Sequence, residues 1–243
     1  MFAGCSGTAI NETAAPADDL KRRAAEQAVQ LVASGMIVGL GTGSTVRPLL
    51  ELLGARLASG DLRDIKGIPT SEDTAQRCRA HGIPLTTLDE HPAIDIAIDG
   101  TDEVTPSLDL IKGLGGALLR EKLVALAAER FVIIADESKA VKRLGTRAPL
   151  PVEVVPFGWS THDGFFEGLG ASPSLRRRED GQPYTTDGGH VIVDLRFEGG
   201  IPDPLAVARA LDRRVGVVDH GLFLSIADLA ILAGPAGVRQ ITR

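Results

Sequence analysis

The chain has 243 residues, 44% of them hydrophobic and 24% charged, with a formal net charge of −6. That balance is typical of a globular protein with room for one large domain or two modest ones. The acidic surplus argues against a general nucleic-acid binder, which would carry a basic face. It leaves room for a small anionic ligand held by backbone amides and a few lysines. No apolar run approaches membrane-spanning length, and residues 1–16 lack the basic start and apolar stretch of a secretory signal. They read as a flexible tail. Cys5 and Cys78 are far apart and read as free thiols of a reducing, cytoplasmic compartment. The five histidines are scattered with no i, i+4 pair, so no metal site is expected.

Ala17 to Ser34 is predicted helical: Leu20, Ala24, Ala28, Leu31 and Val32 share a face, Asp18 and Asp19 suit the N-terminus, and Gly35 ends it. A short buried strand, M36-I-V-G-L-G, then runs into G41-T-G-S-T, and a helix follows from Val46 to Leu57, with Pro48 tolerable in its first turn. Strand, glycine turn and helix together make a phosphate cradle, because glycines allow close approach and helix-terminal amides point at an anion. Position 44 is Ser44 where a dinucleotide motif has its third glycine, and the lysine of a Walker loop is missing. Two hydroxyls remain, on Ser44 and Thr45, suited to a single phosphate monoester. The plain alternative is a glycine turn needed only for packing.

Ile65 to Pro69 reads as a weak strand, and Thr70 and Ser71 as caps of a helix through Arg79 that Gly82 closes. Ile83 to Thr87 reads as another short strand. In I94-D-I-A-I-D the isoleucines alternate with other residues, the period of a strand, which stops at Gly100. Asp99, Asp102 and Glu103 crowd the turn beyond it. Lys112 stands at the mouth of a second glycine-rich turn, and a helix from about Ala117 to Glu129 carries Glu121. Carboxylates, a lysine, a mobile backbone and a helix-borne glutamate are the parts of an acid–base site. The alternative is a solvated acidic turn and a surface pair between Glu121 and a neighbour such as Lys122. F131-V-I-I-A-D is an apolar strand ending at Asp136, Ser138 and Lys139.

This alternation predicts an α/β fold with a mainly parallel, Rossmann-like sheet and helices on both faces. Ligands of such sheets bind beyond the carboxyl ends of the strands, where Gly41 to Thr45, Asp99 to Asp102, Lys139 and, after a short strand, Lys112 converge. From Pro149 the pattern changes. Strands at Val152–Val155, Ser174–Arg178, Tyr184–Thr186, His190–Phe197 and Val215–Val218 are interleaved with helices at Ser160–Leu169 and Asp203–Asp212. That order is β-α-β-β-α-β with an uncertain strand count in its middle, as in a ferredoxin-like α+β unit. Leu222 to Leu232 is apolar again and returns to the first sheet. The expected organisation is a Rossmann-like catalytic domain of residues 17–147 and 221–243 with an inserted ferredoxin-like subdomain, 148–220. The basic run Arg176-Arg177-Arg178 reads as a solvated strand edge.

Four segments, G39-L-G-T-G-S-T, D99-G-T-D-E, K112-G-L-G-G-A-L-L-R-E-K and A135-D-E-S-K, give the chain from Ala17 onward a resemblance to the A-type ribose-5-phosphate isomerases; P149-L-P-V-E-V-V-P is a fifth, structural one. The resemblance implies an aldose–ketose isomerase of the pentose phosphate pathway that interconverts D-ribose 5-phosphate and D-ribulose 5-phosphate through an enediolate. It needs no metal or organic cofactor, and is a homodimer or homotetramer. It implies Glu121 as the catalytic base, assisted by Lys112, Asp99 and Asp102. Substrate contacts fall on Thr42, Gly43, Ser44 and Thr45, on Asp99, Gly100, Thr101 and Asp102, on Lys112, Gly113, Leu114 and Gly115, and on Lys139, with Lys21 as a further phosphate contact. Leu114 and Gly116 depart from the family's usual glycine and alanine, and Leu119 from its common threonine. A sugar-phosphate sensing module and an acyl-CoA transferase with a nucleophilic glutamate are the competing classes.

Overall fold

The computed structural model describes residues 17–243, so the predicted tail and Cys5 lie outside it. In chain order the first half contains α1 (Ala17–Ala28), β1 (Ile37–Leu40), α2 (Arg47–Ser59), β2 (Lys66–Pro69), α3 (Glu72–Ala80), β3 (Ile96–Asp99), β4 (Glu103–Val104), β5 (Leu110–Ile111), α4 (Leu118–Ala127) and β6 (Phe131–Asp136). The second half contains β7 (Leu150–Val154), α5 (Asp163–Gly168), β8 (Ala171–Leu175), β9 (Val191–Phe197), α6 (Pro204–Asp212), β10 (Val217–His220), β11 (Leu222–Phe223), β12 (Leu229–Gly234) and β13 (Gly237–Thr242).

The main sheet has six strands in the order β13-β12-β6-β3-β1-β2. All neighbours are parallel except the β12–β13 hairpin at one edge. Its central strands β1, β3, β6 and β12 are buried on both faces, while the edge strand β13 is largely exposed. On β6, Val132 and Ile134 pack towards α1 and α2, while Phe131, Ile133 and Ala135 join Val124 of α4 on the opposite side. This double burial makes β6 read as a continuous apolar run. It also corrects the alternating reading of Ile94 to Asp99, since Ala97 and Asp99 are as buried as Ile96 and Ile98.

The chain leaves β1 outward to β2 and then crosses back to place β3 on the other side of β1. The reversal opens a crevice between the carboxyl ends of β1 and β3, where ligands of open α/β sheets bind.

The second sheet has the order β10-β7-β9-β8, all antiparallel, and encloses its own core with α5 and α6. With connections β-α-β-β-α-β this is the split unit expected from the sequence. Two predicted strands are absent. Tyr184–Thr186 contributes only the isolated bridges Arg177–Pro183 and Thr185–Val191, and Ile83–Thr87 only the bridge Gly67–Leu85. Both segments are short and meet their neighbours at too few positions for a ladder. A third, three-stranded sheet, β11-β5-β4, joins the chain after β3 to the chain after β10.

Candidate active site

The three acids after β3 are aimed at three different places, which relieves the repulsion that their spacing implies. Asp99 turns back under the first glycine loop. Its Oδ1 accepts from Gly100 N at 2.7 Å and Thr42 N at 3.1 Å, and a side chain at position 41 would put its Cβ 1.9 Å from that oxygen, so Gly41 has to be glycine. Asp102 faces the crevice, with Oδ2 accepting from Leu114 N at 2.9 Å. Glu103 points away. It is fully buried, and its carboxylate accepts from the amides of Gly145 and Arg147, both at 2.6 Å, and of Ala148 at 2.8 Å. Glu103 is therefore a fastener for the 145–148 loop and cannot substitute for the base.

Lys112 emerges from β5, where it is 2% exposed, held by its amide on Gly221 O at 2.9 Å. Its Nζ donates to Gly100 O at 2.7 Å, pairs with Asp99 Oδ2 at 2.9 Å and lies 3.4 Å from Glu121 Oε1. Burial alone would favour the neutral amine, but Asp99 and Glu121 outweigh it and hold the ammonium protonated. Glu121, in the first turn of α4, is 4% exposed, and its Oε2 has no hydrogen-bond partner among the described residues. Burial pushes its carboxyl up to about 8 against the attraction of Lys112, with Asp99 and Asp102 adding to the rise. Burial likewise raises Asp102. The proposed surface pair with Lys122 does not form, because Lys122 Nζ binds Asp219 Oδ1 and His220 O, each at 2.6 Å.

Asp102, Lys112 and Glu121 line one end of a cleft of about 410 Å3. Its other end is made by Lys21, Gly43, Ser44, Thr45, Ser138 and Lys139, with Asp136 capping the short turn that carries Ser138 and Lys139. Among the described residues, nothing takes up the hydroxyls of Ser44 and Thr45. Thr42 also lines the cleft, but its Oγ1 is engaged with the hydroxyls of Thr70 and Ser71 at 2.7 and 2.8 Å and its amide with Asp99, so it offers a ligand no free donor. Gly100, Thr101, Gly113 and Gly115 contribute to the wall. Leu114 does not: its amide is spent on Asp102 and its side chain is 42% exposed. Asp99 lies beneath the floor as the partner of Lys112.

Two residues of the second sheet region make contacts with the cleft loop that the sequence did not reveal. Arg176 is not a solvated edge. Its guanidinium is 13% exposed and holds Asp194 and the carbonyls of Gly113 and Leu114. Tyr184 packs so closely on Gly116 that an added Cβ would lie 2.1 Å from its hydroxyl. A lone arginine in a basic run carries no local signal for either contact.

Residues 66–237 match the family described as ribose 5-phosphate isomerase A (phosphoriboisomerase A). The chain belongs to that family. The ribose-5-phosphate isomerase A of Roseiflexus castenholzii is 55% identical over 221 residues, covering 91% of this chain and 94% of that protein. The one from Synechococcus sp. (strain JA-3-3Ab) is 53% identical over 228 residues, covering 93% and 98%. Among solved structures, the ribose 5-phosphate isomerase of Plasmodium falciparum superposes with a TM-score of 0.90 at 42% identity, covering 93% of this chain and 99% of that one. A D-ribose-5-phosphate isomerase in complex with phospho-erythronic acid superposes with a TM-score of 0.92 at 38% identity, covering 94% and 100%. With isomerases at these identities over nearly the whole chain, the protein is an isomerase rather than a sensing module or an acyl transferase.

Proposed function

We infer that the chain interconverts D-ribose 5-phosphate and D-ribulose 5-phosphate through an enediolate, the step expected of it in the pentose phosphate pathway. The observation that carries the mechanism is the unpartnered Oε2 of Glu121, buried beside the ammonium of Lys112. Aldose–ketose isomerisation moves a proton from one carbon next to a carbonyl to the other. A buried carboxylate with a raised pKa is suited to accept that proton and return it.

Charge balance supports the pairing. When Glu121 takes the proton it becomes neutral and loosens its hold on Lys112, at the moment when negative charge appears on the substrate oxygens. The ammonium then passes from the carboxylate to the enediolate without any change in the number of buried charges, and such preorganised donors contribute about 3 kcal/mol each. Asp99 keeps Lys112 in place and charged. Asp102 has one oxygen fastened by Leu114 N and its other oxygen free for a sugar hydroxyl, where it can serve ring opening and proton transfer between oxygens. Ser44, Thr45, Lys139 and Lys21 form the phosphate end, with the amides of Gly43 to Thr45. Phosphate bound there holds the reacting carbons against Glu121. The phosphorylated sugar acid in the related complex is an anion of the kind these two ends would accommodate.

In this reading residues 17–147 and 221–243 form the catalytic unit and 148–220 an inserted one. The chain is read as a cytoplasmic homodimer or homotetramer. Buried, unpaired Cys78 supports the first part, and exposed Leu123 and Leu126 on α4 support the second. No helix among the described residues is long and apolar enough to cross a membrane. The deciding experiment is an assay of ribose 5-phosphate conversion with no added cofactor after chelator treatment. Ribulose 5-phosphate should form at an undiminished rate, and a loss restored by zinc or manganese would overturn the mechanism.

A further inference from the structure

We propose that Arg176, which reaches the cleft wall from the end of β8, is a positioning residue for the isomerisation, acting through the Gly113–Gly115 backbone. This rests on the reading of the cleft given above. The arginine is itself held: Nε donates to Asp194 Oδ2 at 2.9 Å and Nη2 to Asp194 Oδ1, a two-point grip across the β8–β9 pair. Its remaining nitrogen, Nη1, donates to Gly113 O at 2.9 Å and Leu114 O at 3.0 Å. The guanidinium therefore joins a strand of one sheet to two consecutive peptide groups of the loop that carries the active-site backbone.

A trans peptide points its carbonyl and its N–H in opposite directions, so pinning one end aims the other. The peptide whose carbonyl is Gly113 O has Leu114 N as its amide, and that amide donates to Asp102 Oδ2 at 2.9 Å. Arg176 and Asp102 thus sit at opposite ends of one peptide dipole. The next peptide, with Leu114 O on Arg176, presents the amide of Gly115, a residue of the cleft wall. Among the described residues that amide has no partner, which leaves it available to an enediolate oxygen or a sugar hydroxyl bound in the cleft. Gly113, at φ +102°, gives the loop a shape in which both carbonyls reach one guanidinium. Arg176 touches no substrate in this arrangement. Together with Gly116 N, which also donates to Gly113 O at 3.0 Å, it fixes the aim of one carboxylate and one amide.

The test is steady-state kinetics on ribose 5-phosphate for R176A, R176K and D194N, with thermal melting alongside. The kcat of R176A should fall about 10- to 100-fold, as expected when transition-state donors lose their aim, while KM changes less than about threefold because the phosphate end is built by other loops. Lysine cannot bridge four oxygens from a planar fork, so R176K should stay impaired. Added guanidinium ion should restore part of the R176A rate without moving its melting temperature, a recovery that mere loosening of the fold would not show. D194N keeps the arginine but weakens its grip, and should lower kcat by several-fold. If R176A does not fold, D194N carries the test alone. Wild-type kcat in the folded variants, or losses of kcat, KM and melting temperature together without rescue, would overturn the proposal. Glu121→Gln tests the base separately: an active E121Q removes the mechanistic reading, whereas an inactive E121Q beside a normal R176A removes only the role of Arg176.

Discussion

Glu121 Oε1 lies 3.4 Å from Lys112 Nζ, with both side chains almost completely withdrawn from solvent and the other glutamate oxygen unpartnered among the described residues. An exposed pair of this kind would contribute under about 1 kcal/mol and could be deleted with little effect. Here the pair sits at the end of a cleft, where Glu121 raises the proton affinity of Lys112 and Lys112 lowers that of Glu121, so deletion of either should be felt in the chemistry.

Glu121→Gln preserves volume but removes the proton acceptor. Its kcat should fall by about two to four orders of magnitude. Ribose 5-phosphate should still bind, as measured by equilibrium titration, and solvent deuterium exchange into C2 of recovered aldose should fall in step with turnover. A folded variant with near-normal turnover would refute the assignment.

The pH dependence follows from the raised carboxyl. A base must be ionised to act, and burial pushes Glu121 up to about 8, so kcat/KM should climb as pH rises through neutrality and level off above that value. An acidic limb near pH 4.5, the ordinary carboxyl range, would show that the titrating base is a different, solvated group.

The same shift has a consequence for stability. Because the folded state holds the Glu121 proton more tightly than the unfolded chain, wild-type stability is eroded as pH rises from the unfolded pKa through the folded one. Glutamine removes that erosion while Asp99 still pairs with Lys112. Melting of E121Q should therefore match the wild type near pH 4 and equal or exceed it at pH 8. A variant melting well below the wild type at pH 8 would contradict this ordering.

At the phosphate end, S44A and T45A remove hydroxyls that would contact the phosphate in ground and transition states alike. The double variant should raise KM about tenfold or more with kcat changed far less. Unaltered affinity for ribose 5-phosphate would mean that this turn serves packing only.

Gly116 has φ +83°, and a Cβ there would collide with the Tyr184 hydroxyl. G116A should lose at least about 1 kcal/mol of stability from backbone strain alone. Removing the ring in G116A/Y184A should recover the part due to collision but not the part due to φ. Denaturant midpoints of the wild type, G116A, Y184A and the double variant would separate the two, and an unshifted midpoint for G116A would contradict both.

Much of this protein is written locally. Apolar runs bounded by glycine, as in Phe131 to Asp136, mark strands buried on both sides. The G41-T-G-S-T turn after a strand marks an anion cradle, and Ser71 before Glu72 marks a helix cap that donates no surprise, accepting from Thr74 N at 3.1 Å. Each is a property of neighbouring residues, so the chain displays it without being folded. Pairings across long stretches of sequence are different in kind. Three acids in the D99-G-T-D-E segment look alike until the fold sends Asp99 to Lys112, Asp102 to the cleft and Glu103 to the 145–148 loop. Lys122 could have met Glu121, but α4 turns it towards Asp219, 97 residues away. Arg176 is one basic residue among three until β9 brings Asp194 beside it and the packing of the two sheets brings the Gly113 loop. Burial then decides their chemistry: the same carboxyl that would titrate near 4.5 in water is held protonated to about 8 between α4 and β5. Residue types and turns are therefore determined by the sequence alone, while partners and proton affinities depend on which distant segments exclude water from each side chain.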